Sequence, residues 1–451
     1  MTRYAPIAQA LVFVTASIMF GGASSAGIYA NAAIELMAAV GIAFAIVTHA
    51  RYPGELQRNL LLVLIAALAL VVVQIIPLPP VVWTSLPGRE VMVETLAKAG
   101  IPLGWRTLSM KPDATIGAGL AMLPVFAAAL IGMRASRGAL IALFVTLTIM
   151  MIGSVIVGLM QKVGGSTSSL YFYEISNRDA AVGFFANSNH FSTLCAISIP
   201  VATGVFVAQR GSTRLNARWL FLAGILLFAL IGIWAAGSEA GLGLAAAGLV
   251  SVYAIARLHR GSKTMRYTII GVAALGLLTI ATILFALGMS DSTGGLSAIG
   301  GMGRATLWNR TITAIMATMP VGTGLGSFTT VYPQFENPMN VTDVFANHAH
   351  NDYLEVLMTG GIPALALLVA FAAWWLRASL LVWRAATRDA FSEAATVVTA
   401  IVILHEVVDY PIRTAAIGVI FGLCCGIMAR PRRIVEPSAK LRERVGRHVA
   451  A

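Results

Sequence analysis

The side chains that could do chemistry are concentrated in one polar stretch of an otherwise apolar chain. Residues 348–355 read HAHNDYLE and lie in the longest segment between apolar runs. An imidazole titrates near neutral pH, so His350 could act as a general base that takes a proton from a hydroxyl group, or could bind substrate. In a second interpretation His348, His350 and Asp352 bind a metal ion, since two histidines and a carboxylate are a known type of ligand set.

The same stretch also has the features of a helix start. In a third interpretation Asn351 and Asp352 cap the next helix, and Asp352 with Glu355 resembles a capping box. The sequence GGIP at residues 360–363 would break that helix before the next apolar run begins. The pattern therefore predicts a short half-helix with His350 at its positive N-terminal end, which favours an anion there.

Four arginines from distant parts of the sequence could converge over this stretch: Arg178, Arg304, Arg310 and Arg413. A guanidinium offers a fixed fork of donors that suits phosphate oxygens, so several forks could hold a diphosphate without a metal ion or cofactor. Alternatively, each arginine is an interfacial anchor or half of an ion pair, and Asp409 could be the partner of Arg413. The basic residues of the first predicted outer loop are instead assigned to the surface; they are Arg89, Lys98, Arg106 and Lys111.

Two carboxylates are further candidates because of their position. Glu239 lies in the very short turn 237–241 between two apolar runs, and Asp409 lies at the outer end of another run. Ionisable groups near membrane-spanning segments are functional candidates by default. The glycine-rich sequence PVGTGLGSF at residues 320–328 predicts a tight turn, and it lacks the Lys-Ser/Thr of a phosphate-binding P-loop.

Composition places the chain among membrane proteins. Hydrophobic residues make up 58% of the 451 residues and charged residues only 11%, against about 25% charged residues in a typical soluble protein. Apolar runs of about 20 residues recur along the sequence, which predicts an all-α integral membrane protein. The net charge of +12 reflects basic loops rather than nucleic-acid binding, and the three cysteines lie in apolar runs without disulfide or zinc spacing.

The distribution of Lys and Arg gives an orientation for about 12 predicted transmembrane helices. Short basic loops alternate with less basic ones, so we expect both termini in the cytoplasm and the long loops on the outer side. The first apolar run is expected to be a retained span. The predicted organisation has four parts. Residues 1–289 form about nine helices with outer loops near 78–113 and 161–189, and residues 290–361 form an outer catalytic loop. Residues 362–429 form about three helices, and residues 430–451 form a basic cytoplasmic tail.

Four stretches resemble the O-antigen ligase and polymerase superfamily of bacterial membrane glycosyltransferases. The segment from Gly183 to Asn189, which includes Asn187, is similar to a Gly-x-x-x-Asn-x-Asn motif of that family. Residues 304–333 resemble the start of its large periplasmic loop, and residues 348–361 resemble its His-Asn-x-x-Leu core. Residues 405–413 resemble its closing motif, which ends in Asp-x-Pro-x-Arg.

The resemblance implies a GT-C-like fold and a metal-independent transfer on the periplasmic face of the bacterial inner membrane. A glycan linked to undecaprenyl diphosphate would move to an acceptor hydroxyl, with His350 as the catalytic residue. The diphosphate-binding arginines of the family correspond to Arg178, Arg304, Arg310 and Arg413. The other candidate substrate-binding residues of this chain are Asn187, Asn189, His348, Asp352, Tyr353, Glu239 and Asp409. The partners implied are the lipid-linked donor, a glycan or lipid A core acceptor, membrane lipid and polysaccharide-export proteins.

Two positions depart from the family pattern. Members often have an arginine in the turn where this chain has Glu239, and a serine where it has Glu406. The ending DYPIR at residues 409–413 favours polymerisation of O-antigen or exopolysaccharide repeat units, with ligation to lipid A core as the alternative. Two hypotheses of other classes stay open: a transporter or flippase of lipid-linked sugars, and a metallohydrolase built on His348, His350 and Asp352.

Overall fold

A computed structural model describes residues 5–24, 27–48, 53–208, 215–258, 303–337 and 345–431 of the protein. These residues are mostly helical, which confirms the predicted class of an α-helical membrane protein. In the described residues the strands are a two-residue antiparallel pair, in which Pro77 and Leu78 face Thr107 and Arg106. The predicted ninth span at 268–289, the linker at 290–295 and most of the basic tail lie outside the described residues.

The described helices lie close to the predicted spans, with additional short helices in the loops. In chain order they are α1 (Ala5–Phe20), α2 (Ile28–Thr48), α3 (Glu55–Gln74), α4 (Pro80–Trp83), α5 (Glu90–Lys98), α6 (Pro112–Arg134), α7 (Arg137–Gly164), α8 (Ser188–Ala208), α9 (Leu215–Ala236), α10 (Glu239–Leu258), α11 (Arg304–Thr318), α12 (Phe328–Val331), α13 (Asp352–Arg384), α14 (Ala390–His405) and α15 (Ala415–Met428). Two 3₁₀ turns cover Tyr332–Phe335 and Pro411–Arg413.

Among the described helices, six are long and apolar enough to cross a membrane, namely α2, α3, α6, α7, α8 and α13. Shorter apolar helices stand where five other spans are predicted, within α1, α9, α10, α14 and α15. The total of about 12 spans therefore stays a prediction. The outer loop near 78–113 contains α4 and α5, as expected for an ordered and partly helical cap.

Small residues allow α15 to pack directly on the backbone of α6. A Cβ added to Gly422 would lie 2.3 Å from the carbonyl oxygen of Val125, and one added to Gly426 would lie 2.1 Å from that of Ala129. These separations are well below van der Waals contact, so the two positions require glycine. Close approach through small residues four positions apart is typical of helix pairs in membranes. The packing fixes the turn before α15, which carries Asp409 and Arg413.

Helix α13 is kinked where the sequence predicts a break. Gly361 adopts the left-handed conformation, with φ of 60° and ψ of −153°, and divides a short first segment from the long apolar one. A Cβ on Gly361 would lie 2.2 Å from the carbonyl oxygen of Pro320, so the glycine-rich loop packs into the kink. The buried side chain of Gln74 links the first segment of α13 to the glycine-rich loop. Its Nε2 donates to the Thr359 carbonyl at 3.2 Å, and its Oε1 accepts from the Leu325 N–H at 2.9 Å.

Arg89 corrects one prediction about the outer loops. It was assigned to the surface, but it is only 1% exposed. Its Nη2 donates to the carbonyl oxygens of Leu108 at 2.7 Å and Gly322 at 3.1 Å, so main-chain acceptors satisfy the buried guanidinium. Burial lowers the pKa of Arg89 to about 10. Arg89 thereby ties the first outer loop to the glycine-rich loop beside the kink of α13.

Candidate active site

His350 occupies a strained turn immediately before α13. Its φ of 48° is in the left-handed region, where residues other than glycine are uncommon. The next residue, Asn351, caps α13 by accepting the Leu354 N–H at 3.1 Å, and the indole of Trp308 on α11 donates to the His350 carbonyl at 3.3 Å. Such strain persists only where surrounding contacts hold it, and it is concentrated at functional sites. The predicted position of His350 at the N-terminal end of a half-helix is confirmed.

Asp409 is the centre of a buried polar cluster at this turn. Its Oδ1 lies 3.4 Å from His350 Nδ1 and 3.6 Å from His190 Nε2. Its Oδ2 accepts a hydrogen bond from Asn189 Nδ2 at 2.8 Å. Burial by itself would raise the pKa of Asp409, but the two imidazoles outweigh it and hold that pKa well below its usual range. A carboxylate therefore faces two imidazoles in a volume that excludes bulk water.

Several polar atoms of this cluster are buried and have no hydrogen-bond partner among the described residues. They include His350 Nδ1, His190 Nε2, His405 Nε2 and Glu406 Oε2. Buried polar groups are almost always hydrogen-bonded, so a concentration of unpaired ones marks a place where a ligand or water completes the network. Catalytic hydrogen bonds are often long in a free enzyme and shorten when substrate binds.

The ring of Tyr410 provides a surface against which three histidines pack. Its centroid lies 4.1 Å from that of His348, 4.9 Å from that of His350 and 5.0 Å from that of His190. Its hydroxyl accepts a hydrogen bond from Asn347 Nδ2 at 3.0 Å. Burial and then the charge of Asp409 raise the pKa of Tyr410 above its usual range, so the phenol is neutral. Tyr410 thus fixes the orientation of all three imidazoles.

A second charged layer lies beside the histidines. Arg413 donates through Nε to Asp352, and its Nη1 forms an ion pair with Glu355 Oε1 at 3.1 Å. Glu355 also contacts His348 Nδ1 at 3.1 Å and accepts the Ala349 N–H at 2.9 Å. Burial alone would lower the pKa of Arg413, and the two carboxylates raise it beyond its usual range.

These contacts correct two predictions. The expected pair of Asp409 with Arg413 is replaced by Arg413 with Asp352 and Glu355. The capping box of Asp352 and Glu355 is also wrong, since Asn351 is the cap and Glu355 reaches back to the turn that precedes it.

The turn before α10 connects to the cluster through hydrogen bonds. The hydroxyl of Ser238 donates to Asn189 Oδ1 at 2.8 Å and accepts the Gly241 N–H at 3.0 Å. Ser238 therefore caps α10 and orients the amide that holds Asp409. The adjacent Glu239 is exposed, so its carboxylate lies beside the cluster rather than in it.

The four predicted arginines converge only in part. Arg413 contacts Asp352 and Glu355 beside the histidines, and Arg304 lies one turn before Trp308 on α11. Arg310 lies on the same helix. Arg178 points away and is exposed: its Nη1 donates to the Ser166 carbonyl at 3.0 Å, and its guanidinium stacks on Tyr171 at 5.5 Å.

Two other predicted residues have intramolecular partners. Asn187 Oδ1 accepts the Asn189 N–H at 2.8 Å and so shapes the start of α8. The hydroxyl of Tyr353 donates to the Ile403 carbonyl at 2.8 Å and ties α13 to α14. Contact of either side chain with substrate stays a prediction.

Sequence reasoning missed His190, Ser238, Trp308 and Tyr410 as parts of the site. The signal for His190 was available, because it directly follows Asn189 at the start of an apolar run where an imidazole is costly unless paired. The residues proposed for a metal site have separate partners: His348 contacts Glu355, His350 contacts Asp409, and Asp352 contacts Arg413. Within the described residues, no group of three or more His, Cys, Asp or Glu side chains is placed to hold a metal ion.

Comparison with known proteins supports the family suggested by the motifs. Residues 222–369 match a family model described as O-antigen ligase. No curated protein matches the chain. The matched region contains Ser238, Arg304 and His350, whereas Asn189 and Asp409 lie outside it. The match confirms the resemblance to the O-antigen ligase family over residues 222–369 of this chain.

Proposed function

We propose that the protein is a membrane glycosyltransferase that moves a glycan from undecaprenyl diphosphate to an acceptor hydroxyl, at the periplasmic face of the bacterial inner membrane. The observation that carries this proposal is the pair of His350 and Asp409 at the strained turn. His350 lies in the region that matches the O-antigen ligase family, and Asp409 reaches it from outside that region. The family match supports an activity of the O-antigen ligase or polymerase type. The identity of the donor, the identity of the membrane and the side of the membrane that the site faces are also parts of the proposal.

His350 is the general base of the proposed reaction. Its Nδ1 faces Asp409, so its Nε2 is the nitrogen that takes the proton from the acceptor hydroxyl. A carboxylate on the far side of the ring fixes the tautomer and stabilises the imidazolium that forms, as in other carboxylate–histidine pairs. Tyr410 holds the ring plane from a third side.

The chemical step is a substitution at the anomeric carbon of the donor. The O–H bond of the acceptor breaks as the proton moves to His350, and the acceptor oxygen forms a bond to the anomeric carbon. The bond between that carbon and the diphosphate oxygen breaks, and undecaprenyl diphosphate leaves with the electron pair. The negative charge that develops on the diphosphate requires positive groups that are already in place.

Arg304 and Arg310 are the proposed diphosphate ligands. Both lie on α11, whose Trp308 contacts the His350 turn, so their guanidinium groups project from a helix that is fixed relative to the base. Arg413 has a different role, since two carboxylates already engage it. It holds Asp352 and Glu355, and through Glu355 it positions His348.

The acceptor decides whether the enzyme polymerises repeat units or ligates the glycan to lipid A core. The experiment uses the purified full-length protein in lipid nanodiscs with a lipid-linked repeat unit, either alone or with lipid A core. We expect a ladder of lengthened glycans from the repeat unit alone. Attachment to lipid A core without lengthening would assign the protein as a ligase.

The base is tested with His350→Ala and with Asp113→Asn as a control. Asp113 is an exposed aspartate at the start of α6, where it pairs with Lys111. We expect no product from His350→Ala and parental yield from Asp113→Asn. If neither the parent nor His350→Ala forms product but both transport lipid-linked sugar at the same rate, the protein is a transporter and the proposal is wrong.

A further inference from the structure

The end of the helix bundle opposite the histidine cluster contains a basic cavity of about 530 Å³. It lies where α7 and α14 begin and where α13 and α15 end, which is the side predicted to face the cytoplasm. Three arginines and one aspartate line it: Arg137, Arg388, Arg430 and Asp389. The predicted catalytic machinery is at the other end of α13 and α14, so this cavity is separate from it.

Contacts with the protein position each arginine around the cavity. Arg137 donates through Nη2 to the carbonyl oxygen of Ala208 at 2.6 Å, and its guanidinium lies 6.0 Å from the ring of Phe391. Arg388 donates through Nη1 to the Trp383 carbonyl at 2.8 Å. Such contacts fix the orientation of a guanidinium, so less side-chain entropy is lost when it binds a ligand.

The balance of charge in the cavity favours an anion. Arg388 also lies 3.5 Å from the fully buried Glu393, and Arg430 lies 3.8 Å from Asp389. The second separation is long for an ion pair, so a phosphate oxygen can compete for Arg430. Arg137 completes an excess of positive charge around the space.

The walls of the cavity are apolar between the arginines. Leu140, Val382, Phe391 and Pro431 contribute hydrocarbon surface, and Thr387 and Ser392 contribute hydroxyl groups. A molecule that combines a phosphate with hydroxyl and hydrocarbon groups fits such a lining. Basic recesses between transmembrane helices on the cytoplasmic side are known to accept anionic lipid head groups.

We propose that this cavity binds a phosphate ester, and that the phosphate is the head group of an anionic phospholipid of the surrounding membrane. A basic loop at a membrane edge needs no ligand to explain it. What distinguishes these arginines is that they line one cavity and that two of them donate to main-chain carbonyls.

The test measures thermal unfolding of the delipidated full-length protein in a neutral detergent. The probes are dioctanoyl phosphatidylglycerol, dioctanoyl phosphatidylcholine and inorganic phosphate. We expect phosphatidylglycerol to raise the melting temperature of the parent in a saturable way and phosphatidylcholine to leave it unchanged. If inorganic phosphate raises it equally at the same concentration, the site is a phosphate site whose ligand is soluble, and the lipid assignment is wrong.

The variant for this test is the double substitution Arg137→Gln and Arg430→Gln. It leaves Arg388 in place, because removing that residue would leave Glu393 buried without its cation. The control is Arg384→Gln, which removes an exposed arginine at the same end of α13 that does not line the cavity. We expect the double variant to bind phosphatidylglycerol at least about tenfold more weakly, and the control to bind like the parent.

Two results would overturn the proposal. One is an equal shift in melting temperature for the parent and the double variant, and the other is no shift for the parent with either anion. Unfolding of the variants without added lipid is measured alongside, so that a loss of binding is separated from a loss of folding. Retention of phosphatidylglycerol in native mass spectrometry gives a second measure that does not depend on melting.

Discussion

Replacement of Asp409 by asparagine removes the charge that faces His350 and preserves the shape of the side chain. Asp409 is fully buried, and its Oδ1 accepts the N–H of Tyr410 at 3.0 Å, a bond that an asparagine oxygen also makes. Its Oδ2 accepts from Asn189, and an amide NH₂ in that place would face another donor. Asn189 can turn its amide over, because the Ser238 hydroxyl accepts as well as donates. The substitution therefore acts mainly through charge.

The size of the effect follows from the distance between the two groups. Unit charges 3.4 Å apart attract by about 5 kcal/mol at an effective dielectric constant of 20, which is an upper limit for the loss. The imidazolium of His350 exists as the proton moves, so the loss falls on the transition state rather than on substrate binding. We expect kcat to fall by about 10²- to 10³-fold, with KM for the donor changed by less than about threefold.

The assay measures initial rates of glycan transfer by purified parent, Asp409→Asn and Asp113→Asn in the same nanodiscs. Asp113→Asn makes the same change of side chain at an exposed site and should match the parent. A kcat for Asp409→Asn within about tenfold of the parent would refute the role of Asp409 in stabilising the imidazolium. A large rise in KM without a fall in kcat would assign Asp409 to substrate binding.

Three further predictions concern stability in detergent. Burial raises the pKa of Glu406 well above its usual range, so the folded protein loses stability as pH rises past the unfolded pKa of about 4.3. The melting temperature of Glu406→Gln should therefore rise above that of the parent between about pH 5 and 8, by about 2–4 °C for each kcal/mol recovered. A difference in melting temperature that does not change with pH would contradict this. Gly426→Leu forces α15 off the backbone of α6 and should cost about 3 kcal/mol or more, whereas Gly117→Leu, with open space around it, should be near neutral in the same melts. Arg413→Gln leaves buried carboxylates unpaired and should cost about 3–5 kcal/mol, and adding Asp352→Asn should recover part of the loss in a double-mutant cycle.

Local signals in the sequence were sufficient to place the turn that carries His350. Asn351 is a good helix cap, and the glycines and proline at 360–363 allow a helix only up to that point. The half-helix, its kink and the position of His350 therefore followed from neighbouring residues. The positions of the apolar helices followed in the same way, because a membrane requires long apolar runs.

The partners of these residues could not be predicted from neighbouring sequence. Asp409 meets His350 and His190 because the packing of α15 on α6 fixes the turn that carries it, and that packing depends on glycines far from the site. Arg89 shows the same limit in the opposite direction. Its sequence context resembles a surface loop, yet distant carbonyl oxygens make a buried position favourable.

The distribution of charge decides which arginines can bind the donor. Arg413 is paired with Asp352 and Glu355, so its surroundings carry no net positive charge that would attract a diphosphate. A phosphate would have to displace a carboxylate from a buried ion pair, which leaves that carboxylate uncompensated at a cost of several kcal/mol. Arg304 and Arg310 lie on α11, whose Trp308 donates to the His350 carbonyl. Under the proposed function, we therefore expect the diphosphate to bind on the α11 side of His350.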